Sequence, residues 1–293
     1  MGGHKMYPAK FEFHRAHSIQ EALDLLKKHS GAKLLAGGHS LIPMMKLRLT
    51  QPPVVVDIGR ISELGGISKE NGHLRIGSLT THAELASSEI VQKCCPILSQ
   101  AAAQIADPQV RNKGTIGGNL AHADPGSDLP AVTLALHGII HLTGPNGDRQ
   151  IQASDFFVDL LVTELQAGEV LVAVELPVLD SQSGSSYLKF EHPASGYAIC
   201  GAAAVVQMGS DGSCQRASLC FNGVTAVPFN ASLVGTALSG QNLEDTVIDQ
   251  AVTNNLEIED PMGDIFASGP YRVELAKVYG RRALKAARDN AQS

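Results

Sequence analysis

The sequence contains no tryptophan, and aromatic residues make up only 4% of its 293 positions. Proteins that hold single-stranded nucleic acid or quaternary amines use aromatic side chains as stacking platforms or cages, so neither function is expected. The formal net charge of −6 also argues against nucleic acid, because binding to phosphates requires clustered Lys and Arg. The densest basic group, Lys277–Lys285, fits the solvated face of a terminal helix.

Long apolar runs and paired cysteines are missing as well. No run reaches the roughly 18 apolar residues of a membrane span, and Met1–Lys10 lacks the apolar core of a signal peptide. A cytoplasmic location is the default expectation, with peripheral contact with the inner face of the membrane left open. The five cysteines form no disulfide framework, and no two have the spacing C-x-x-C. The chain by itself is therefore not expected to bind zinc or an iron–sulfur cluster.

Common nucleotide and nucleophile motifs are also absent. Neither the dinucleotide pattern G-x-G-x-x-G nor the phosphate-binding pattern G-x-x-x-x-G-K-[ST] occurs. Residues 38–42, G-H-S-L-I, approach the serine-hydrolase elbow G-x-S-x-G, but Ile42 stands where the second glycine is needed. His39, His122 and Asp124 could be imagined as metal ligands, yet their spacing matches no known ligand pattern. We interpret them as polar loop residues, and most other histidines, His82 among them, are expected at the surface.

The most informative features present are two glycine-rich segments. Leu34–Leu41 reads L-L-A-G-G-H-S-L, and Gly114–Asn119 reads G-T-I-G-G-N. Adjacent glycines permit positive φ angles and let an anion approach main-chain N–H groups without a Cβ in the way. The two segments together predict a phosphate-bearing cofactor held mainly by backbone. Gly38→Val or Gly117→Val would then be expected to abolish cofactor retention while leaving the fold largely intact.

The order of helix and strand signals predicts an α+β protein in two parts. A capping signal at Ser18, a hairpin at Asn71-Gly72 and a β-branched strand at 54–58 belong to the first part. Residues 107–128 are expected to be a long functional loop. The Ser-rich segment 179–186 is the best linker candidate, which places a domain boundary near residue 182. Three antiparallel strands and three helices are predicted beyond it.

Several longer motifs resemble the FAD-binding medium subunits of molybdenum hydroxylases, the group that includes aerobic carbon monoxide dehydrogenase and the flavin region of xanthine dehydrogenase. The most specific are A-G-G-H-S-L-I-P-M-M-K-L-R at Ala36–Arg48 and G-T-I-G-G-N-L-A-H-A-D-P-G-S-D-L-P-A at Gly114–Ala131. The resemblance covers nearly the whole chain. Further matching motifs lie at Phe11–Ala22, Ala106–Asn112, Gly168–Pro177 and Tyr197–Ala204.

This resemblance implies a two-subdomain FAD-binding domain of the PCMH (vanillyl-alcohol-oxidase-like) type over 1–182. A C-terminal domain over 183–293, with a three-stranded antiparallel sheet and helices, would follow. FAD would lie extended between the subdomains, with Tyr197 against its isoalloxazine ring. Relatives often have Gly-Asp before this tyrosine where the chain has Ser195-Gly196, so the flavin potential stays open. The cofactor-binding residues implied are Leu34, Leu35, Ala36, Gly37, Gly38, His39, Ser40, Leu41, Ile105, Gly114, Thr115, Ile116, Gly117, Gly118, Asn119, Asp124, Asp128, Leu171, Lys189 and Tyr197.

The resemblance also implies a role within a larger assembly. The chain would be the electron-transfer flavoprotein subunit of a heterotrimeric, dimerised hydroxylase, with no catalytic acid or base and no metal of its own. A small subunit would hold the [2Fe–2S] clusters, a large subunit would hold the molybdenum–molybdopterin centre, and an external acceptor would take the electrons. A stand-alone PCMH-type flavin oxidase is the alternative, although such oxidases are usually larger and often attach flavin covalently. A flavinless scaffold is a third interpretation.

Overall fold

The chain begins with a small parallel sheet followed by a larger antiparallel one. A computed structural model describes residues 6–292. The first five residues and Ser293 lie outside the described part, so the two ends of the predicted domains 1–182 and 183–293, and half of the Met1–Lys10 segment, fall outside it. The first sheet has the strand order β1-β3-β2 and is wholly parallel. Its elements are β1 (Glu12–Arg15), α1 (Ile19–Lys28), β2 (Lys33–Leu35), α2 (Leu41–Lys46) and β3 (Val54–Asp57).

The first helix starts where the sequence predicts. The Ser18 hydroxyl accepts a hydrogen bond from the Glu21 N–H, as in a capping box. The Glu21 carboxylate instead accepts from the His17 N–H, so the reciprocal half of the box is displaced by one residue. One face of α1 buries Ala22 against Val54 and Val56 of β3, which forms the core of this unit.

The second unit is built on a five-stranded antiparallel sheet with the order β4 (Ile67–Glu70), β5 (His73–Gly77), β10 (Val170–Pro177), β6 (Ile139–Gly144) and β7 (Gly147–Gln152). The predicted hairpin between β4 and β5 is confirmed, with Asn71 at φ 49° and Gly72 at φ 80°, as a two-residue type I′ turn requires. Buried helices cover one face of the sheet. The elements are β4 (Ile67–Glu70), β5 (His73–Gly77), α3 (His82–Ser87), α4 (Glu89–Cys94), α5 (Pro96–Ala103), α6 (Pro108–Arg111), α7 (Ile116–His122), α8 (Asp128–Ala135), β6 (Ile139–Gly144), β7 (Gly147–Gln152), α9 (Ala153–Phe156), β8 (Phe157–Asp159), β9 (Val162–Thr163) and β10 (Val170–Pro177).

The third unit is a four-stranded antiparallel sheet, one strand more than expected, because a two-residue strand pairs with its third member. A long terminal helix packs across the strands β11 (Ser183–Glu191) and β12 (Ala198–Met208), so closely that a Cβ on Gly184 would collide with the carbonyl of Ala287. The mixed α+β architecture predicted from the sequence is confirmed. The elements are β11 (Ser183–Glu191), β12 (Ala198–Met208), β13 (Cys214–Asn222), β14 (Phe229–Asn230), α10 (Ser232–Leu238), α11 (Asp245–Asn255) and α12 (Gly269–Ala291).

Two segment predictions are wrong. The expected loop at 107–128 contains helices α6 and α7, because Asp107 and Thr115 each accept a capping hydrogen bond from the N–H three residues later. The expected linker at 179–186 is partly strand, since residues 183–186 pair with β12. Its serines were misleading because Ser185 and Ser186 are buried within that sheet. No helix among residues 6–292 is long and apolar enough to cross a membrane.

Candidate functional site

A single large cleft collects most of the predicted site residues. Its volume is about 970 Å³, near the upper end for ligand sites, and all three structural units contribute to its walls. Sixteen of the twenty residues expected at the cofactor line it. The four that do not are Leu35, Ile116, Asp124 and Lys189.

The two glycine-rich segments lie side by side in this cleft. A Cβ on Gly37 would collide with the Lys113 carbonyl and lie 2.9 Å from the Cα of Gly114. Gly118 approaches the first segment too, its Cβ position lying 3.8 Å from the Cβ of Ala36. Glycine at position 37 therefore permits the backbones of the two segments to pack against each other.

The first segment presents unused hydrogen-bond donors. Within residues 6–292, the main-chain N–H groups of residues 37–40 donate to no protein acceptor. Gly38 has φ +77°, a left-handed conformation that turns the chain between β2 and α2. Buried or half-buried N–H groups are almost always paired in folded proteins. Four consecutive free donors beside a large cleft form a site for an anion such as a diphosphate.

The second segment differs in its hydrogen bonding. It forms the start of α7, and the N–H groups of Ile116, Gly117 and Gly118 donate to Thr80 O, Ser78 O and Thr115 Oγ1. A Cβ on Gly117 would lie 2.8 Å from the Ser78 carbonyl oxygen, so it would collide with protein backbone. The expectation that Gly117→Val would leave the fold intact is therefore wrong. Asn119 can still serve a ligand, since its buried Oδ1 has no partner among the described residues.

A buried polar network supports one end of the cleft. The Asp128 carboxylate accepts a 2.5 Å hydrogen bond from the Tyr187 hydroxyl and lies 3.3 Å from the Lys189 ammonium. Burial raises the pKa of Asp128 to about 6, although the charge of Lys189 opposes the rise. Lys189 also donates to the carbonyls of Gln104 at 2.7 Å and Gly196 at 2.8 Å. The lysine thus fixes the turn that precedes Tyr197.

Tyr197 is the most exposed aromatic residue of the cleft, with 46% of its surface accessible. Its ring packs against Gly126, where a Cβ would lie 2.9 Å from the ring carbon Cδ1. The preceding turn is held by Ser195 and Ala194 N–H groups that lie 3.2 Å and 3.3 Å from His192 Nδ1. The flat face of this tyrosine is therefore held at the cleft edge by a closely packed glycine.

Sequence reasoning missed two parts of the lining. His82 is 3% exposed, so the expectation that it lies at the surface is wrong. Its burial lowers its pKa to about 4, with the nearby His39 and Arg111 adding to the effect, and its Nδ1 has no partner within the described chain. Residues 165–170 also line the cleft. The Thr81 capping box before His82 was visible in the sequence, but nothing marked the histidine as buried.

The metal arrangement considered for His39, His122 and Asp124 does not form. Among residues 6–292, the ligand atoms of these three side chains do not lie close enough together to hold one metal ion. Asp124 instead accepts a hydrogen bond from the Gly126 N–H at 2.9 Å. Its carboxylate shapes the turn that ends α7.

Two family models match the chain. One, described as the FAD binding domain in molybdopterin dehydrogenase, covers residues 9–179. The other, described as the CO dehydrogenase flavoprotein C-terminal domain, covers residues 185–287. Together they account for nearly all of the sequence.

Individual proteins are similar over their full length. The carbon monoxide dehydrogenase medium chain of Afipia carboxidovorans is 39% identical over 98% of this chain and 100% of its own length. The glyceraldehyde dehydrogenase medium chain of Sulfolobus acidocaldarius is 36% identical over 96% of this chain and 99% of its own. The solved carbon monoxide dehydrogenase of Hydrogenophaga pseudoflava that lacks the Mo-pyranopterin moiety aligns with a TM-score of 0.94, at 40% identity over 97% of this chain and 99% of that one.

Proposed function

This chain belongs to the family of FAD-binding medium subunits of molybdenum hydroxylases, and we infer from that membership that it is the electron-transfer flavoprotein subunit of such an enzyme. When bound, FAD accepts electrons from a [2Fe–2S] partner subunit and passes them to an external acceptor. The molybdenum–pterin centre and the iron–sulfur clusters belong to the large and small partner subunits. The chain itself contributes binding and positioning.

The main support for this proposal is that, within the described chain, the N–H groups of residues 37–40 have no protein acceptor. They would hold the FAD diphosphate, because successive N–H groups in a turn concentrate positive potential without a formal charge. The second glycine segment would contribute close backbone approach and the Asn119 side chain. Tyr197 would cover one face of the isoalloxazine ring, with Asp128 and Lys189 behind it. These assignments fit the depth of the cleft and the exposed tyrosine at its edge.

The finer features of the assembly are part of the same proposal. A dimer of heterotrimers would deliver electrons to an acceptor outside the complex, in the cytoplasm and in peripheral contact with the inner face of the membrane. A division into domains 1–182 and 183–293 is supported by the gap between the two family matches. Substrate choice would lie on the large subunit, since similar medium chains serve carbon monoxide and glyceraldehyde dehydrogenases.

Purification of the chain with its natural partners tests the assembly. We expect FAD that is released by acid as the free cofactor, together with iron and molybdenum that co-purify in fixed ratio. The measurements are the visible spectrum of the supernatant and elemental analysis of the complex. A monomer that oxidises a small alcohol unaided would overturn the proposal in favour of the stand-alone oxidase.

Gly38→Ala tests the amide site. Gly38 has a left-handed backbone, where a residue with a Cβ costs about 1–2 kcal/mol. Without cofactor the variant loop can relax to another conformation, whereas FAD binding requires the left-handed one. The dissociation constant of FAD should then rise by about 5- to 30-fold. The measurement is FAD titration of the apoprotein by fluorescence quenching.

Gly240→Ala is the matched control. Gly240 has the same φ of +77° and lies outside the cleft, and no atom lies within 4 Å of its Cβ position, whereas that of Gly38 lies 2.7 Å from Ile42 Cδ1. Gly240→Ala should therefore lose the stability due to the backbone conformation alone and keep the original affinity for FAD. Equal affinities in the two variants would show that residues 37–40 do not hold the cofactor.

A further inference from the structure

A second group of ligating side chains lies away from the cleft, beside β1. Glu12 and His14 are two residues apart on this strand and so project from the same face. His29 lies at the C-terminal cap of α1. One carboxylate oxygen and one ring nitrogen from each histidine all lie within 4.8 Å of one another. We propose that Glu12, His14 and His29 bind a divalent transition-metal ion of the Zn²⁺ class.

The two imidazoles face each other without satisfying their nitrogens. Their ring centroids are 4.9 Å apart, and both Nε2 atoms are shielded from solvent with no hydrogen-bond partner in the described chain. The Glu12 carboxylate is 3.9 Å from the His14 Nε2, too far for a hydrogen bond. Unpaired, shielded polar atoms cost free energy, and coordination to a shared ion would recover it.

The donor set selects the class of ion. Two imidazoles and one carboxylate are three ligands typical of zinc, with the fourth position left to water. Calcium and magnesium prefer oxygen donors and do not suit this set. The negative end of the α1 dipole lies at His29 and favours a cation, whereas Lys27 and Lys28 in the last turn oppose it.

The ion would join the first strand to the end of the first helix. None of its three ligands lines the cleft, so binding is separate from the flavin site. An ion that binds only the folded state stabilises that state by mass action. Metal binding would therefore stabilise the first unit, which contains the free amides of residues 37–40.

Metal binding is tested on the full-length, untagged, FAD-loaded chain after treatment with a chelator. Calorimetric titration with Zn²⁺ should give one ion per chain, and Co²⁺ should give the visible absorption of a low-symmetry site. The thermal midpoint should rise with Zn²⁺. His14→Gln and His29→Gln should each lose the ion and the thermal shift while keeping their FAD.

Control variants separate this site from unspecific binding. His73 is a comparable histidine outside the proposed site, because its imidazole lies 3.8 Å from the Glu175 carboxylate, which also contacts His141. His73→Gln should therefore still bind the ion at Glu12, His14 and His29. Glu12→Gln changes a side chain that is 66% exposed, and should weaken binding. The site would be refuted if the parent chain bound no stoichiometric ion, or if both His→Gln variants bound it as tightly as the parent chain.

Discussion

Removal of the Lys189 ammonium should destabilise the protein strongly. Lys189→Met leaves the Asp128 carboxylate buried with the Tyr187 hydroxyl and no cation, and both side chains of the ion pair are at most 5% exposed. Breaking a buried pair by removing one partner typically costs about 3–5 kcal/mol. The carbonyls of Gln104 and Gly196 lose their donor as well.

The magnitude should depend on pH. Burial already raises the pKa of Asp128 to about 6, and removing a positive charge that opposes this rise moves it higher. Below that pKa the carboxyl takes up a proton and no longer needs a cation. The loss should therefore be smaller near pH 5 than at pH 8, and the part that depends on pH can reach about 2.7 kcal/mol between pH 6 and pH 8. For a domain of this size, about 3–5 kcal/mol corresponds to a thermal midpoint lowered by roughly 6–20 °C.

Thermal unfolding at the two pH values, with FAD content measured in parallel, checks this prediction. Lys189→Met/Asp128→Asn should recover much of the loss at pH 8, because the unpaired charge is gone. Lys285→Met, which breaks exposed ion pairs on α12, should cost about 1 kcal/mol or less. If the loss in Lys189→Met were the same at both pH values and unaffected by Asp128→Asn, the pair would not be coupled.

Two further predictions concern Asp128 and Gly117. Because the pKa of Asp128 is raised from 3.8 to about 6, its protonated form contributes stability that is present below pH 3.8 and lost as pH rises through 6. The stability of the parent chain relative to Asp128→Asn should thus fall by on the order of 3 kcal/mol over that window, measured by urea unfolding; a flat difference would contradict it. Gly117→Ala should lower the thermal midpoint because its Cβ meets Ser78, at a cost of about 1–3 kcal/mol. An unchanged midpoint with lost FAD would show that Gly117 faces the ligand instead.

Local signals in the sequence predicted most of the elements. The Asn71-Gly72 turn, the Ser18 cap and the strand at 198–208 follow from residue chemistry that acts over a few positions. The segment 107–128 failed for the opposite reason. Its glycines and prolines are typical of loops, yet Asp107 and Thr115 cap two short helices whose stability depends on packing.

Burial was harder to predict than secondary structure. His82 follows a good capping box and is polar, so nothing local indicated that it would lie under Gly114 in the cleft wall. Ser185 and Ser186 gave a linker signal because small polar residues are frequent in loops. Both lie instead on β11, the edge strand of the four-stranded sheet, where Ser186 projects from the same face as Gly184, the residue that α12 approaches closely, and Ser185 from the opposite face. Tertiary contacts that are distant in sequence decided these positions.

The two glycine-rich segments share an adjacent pair of glycines but have different physical roles. In the first, residues 37–40 lie between elements, and their N–H groups have no acceptor within the described chain. In the second, the cap at Thr115 begins a helix, so the following N–H groups donate to protein oxygens. What separates the two cases is the set of acceptors beside the second segment, namely the Thr80 and Ser78 carbonyls and the Thr115 hydroxyl. Anion affinity should therefore depend on the first segment, while substitutions in the second should act mainly on the packing that holds the first in place.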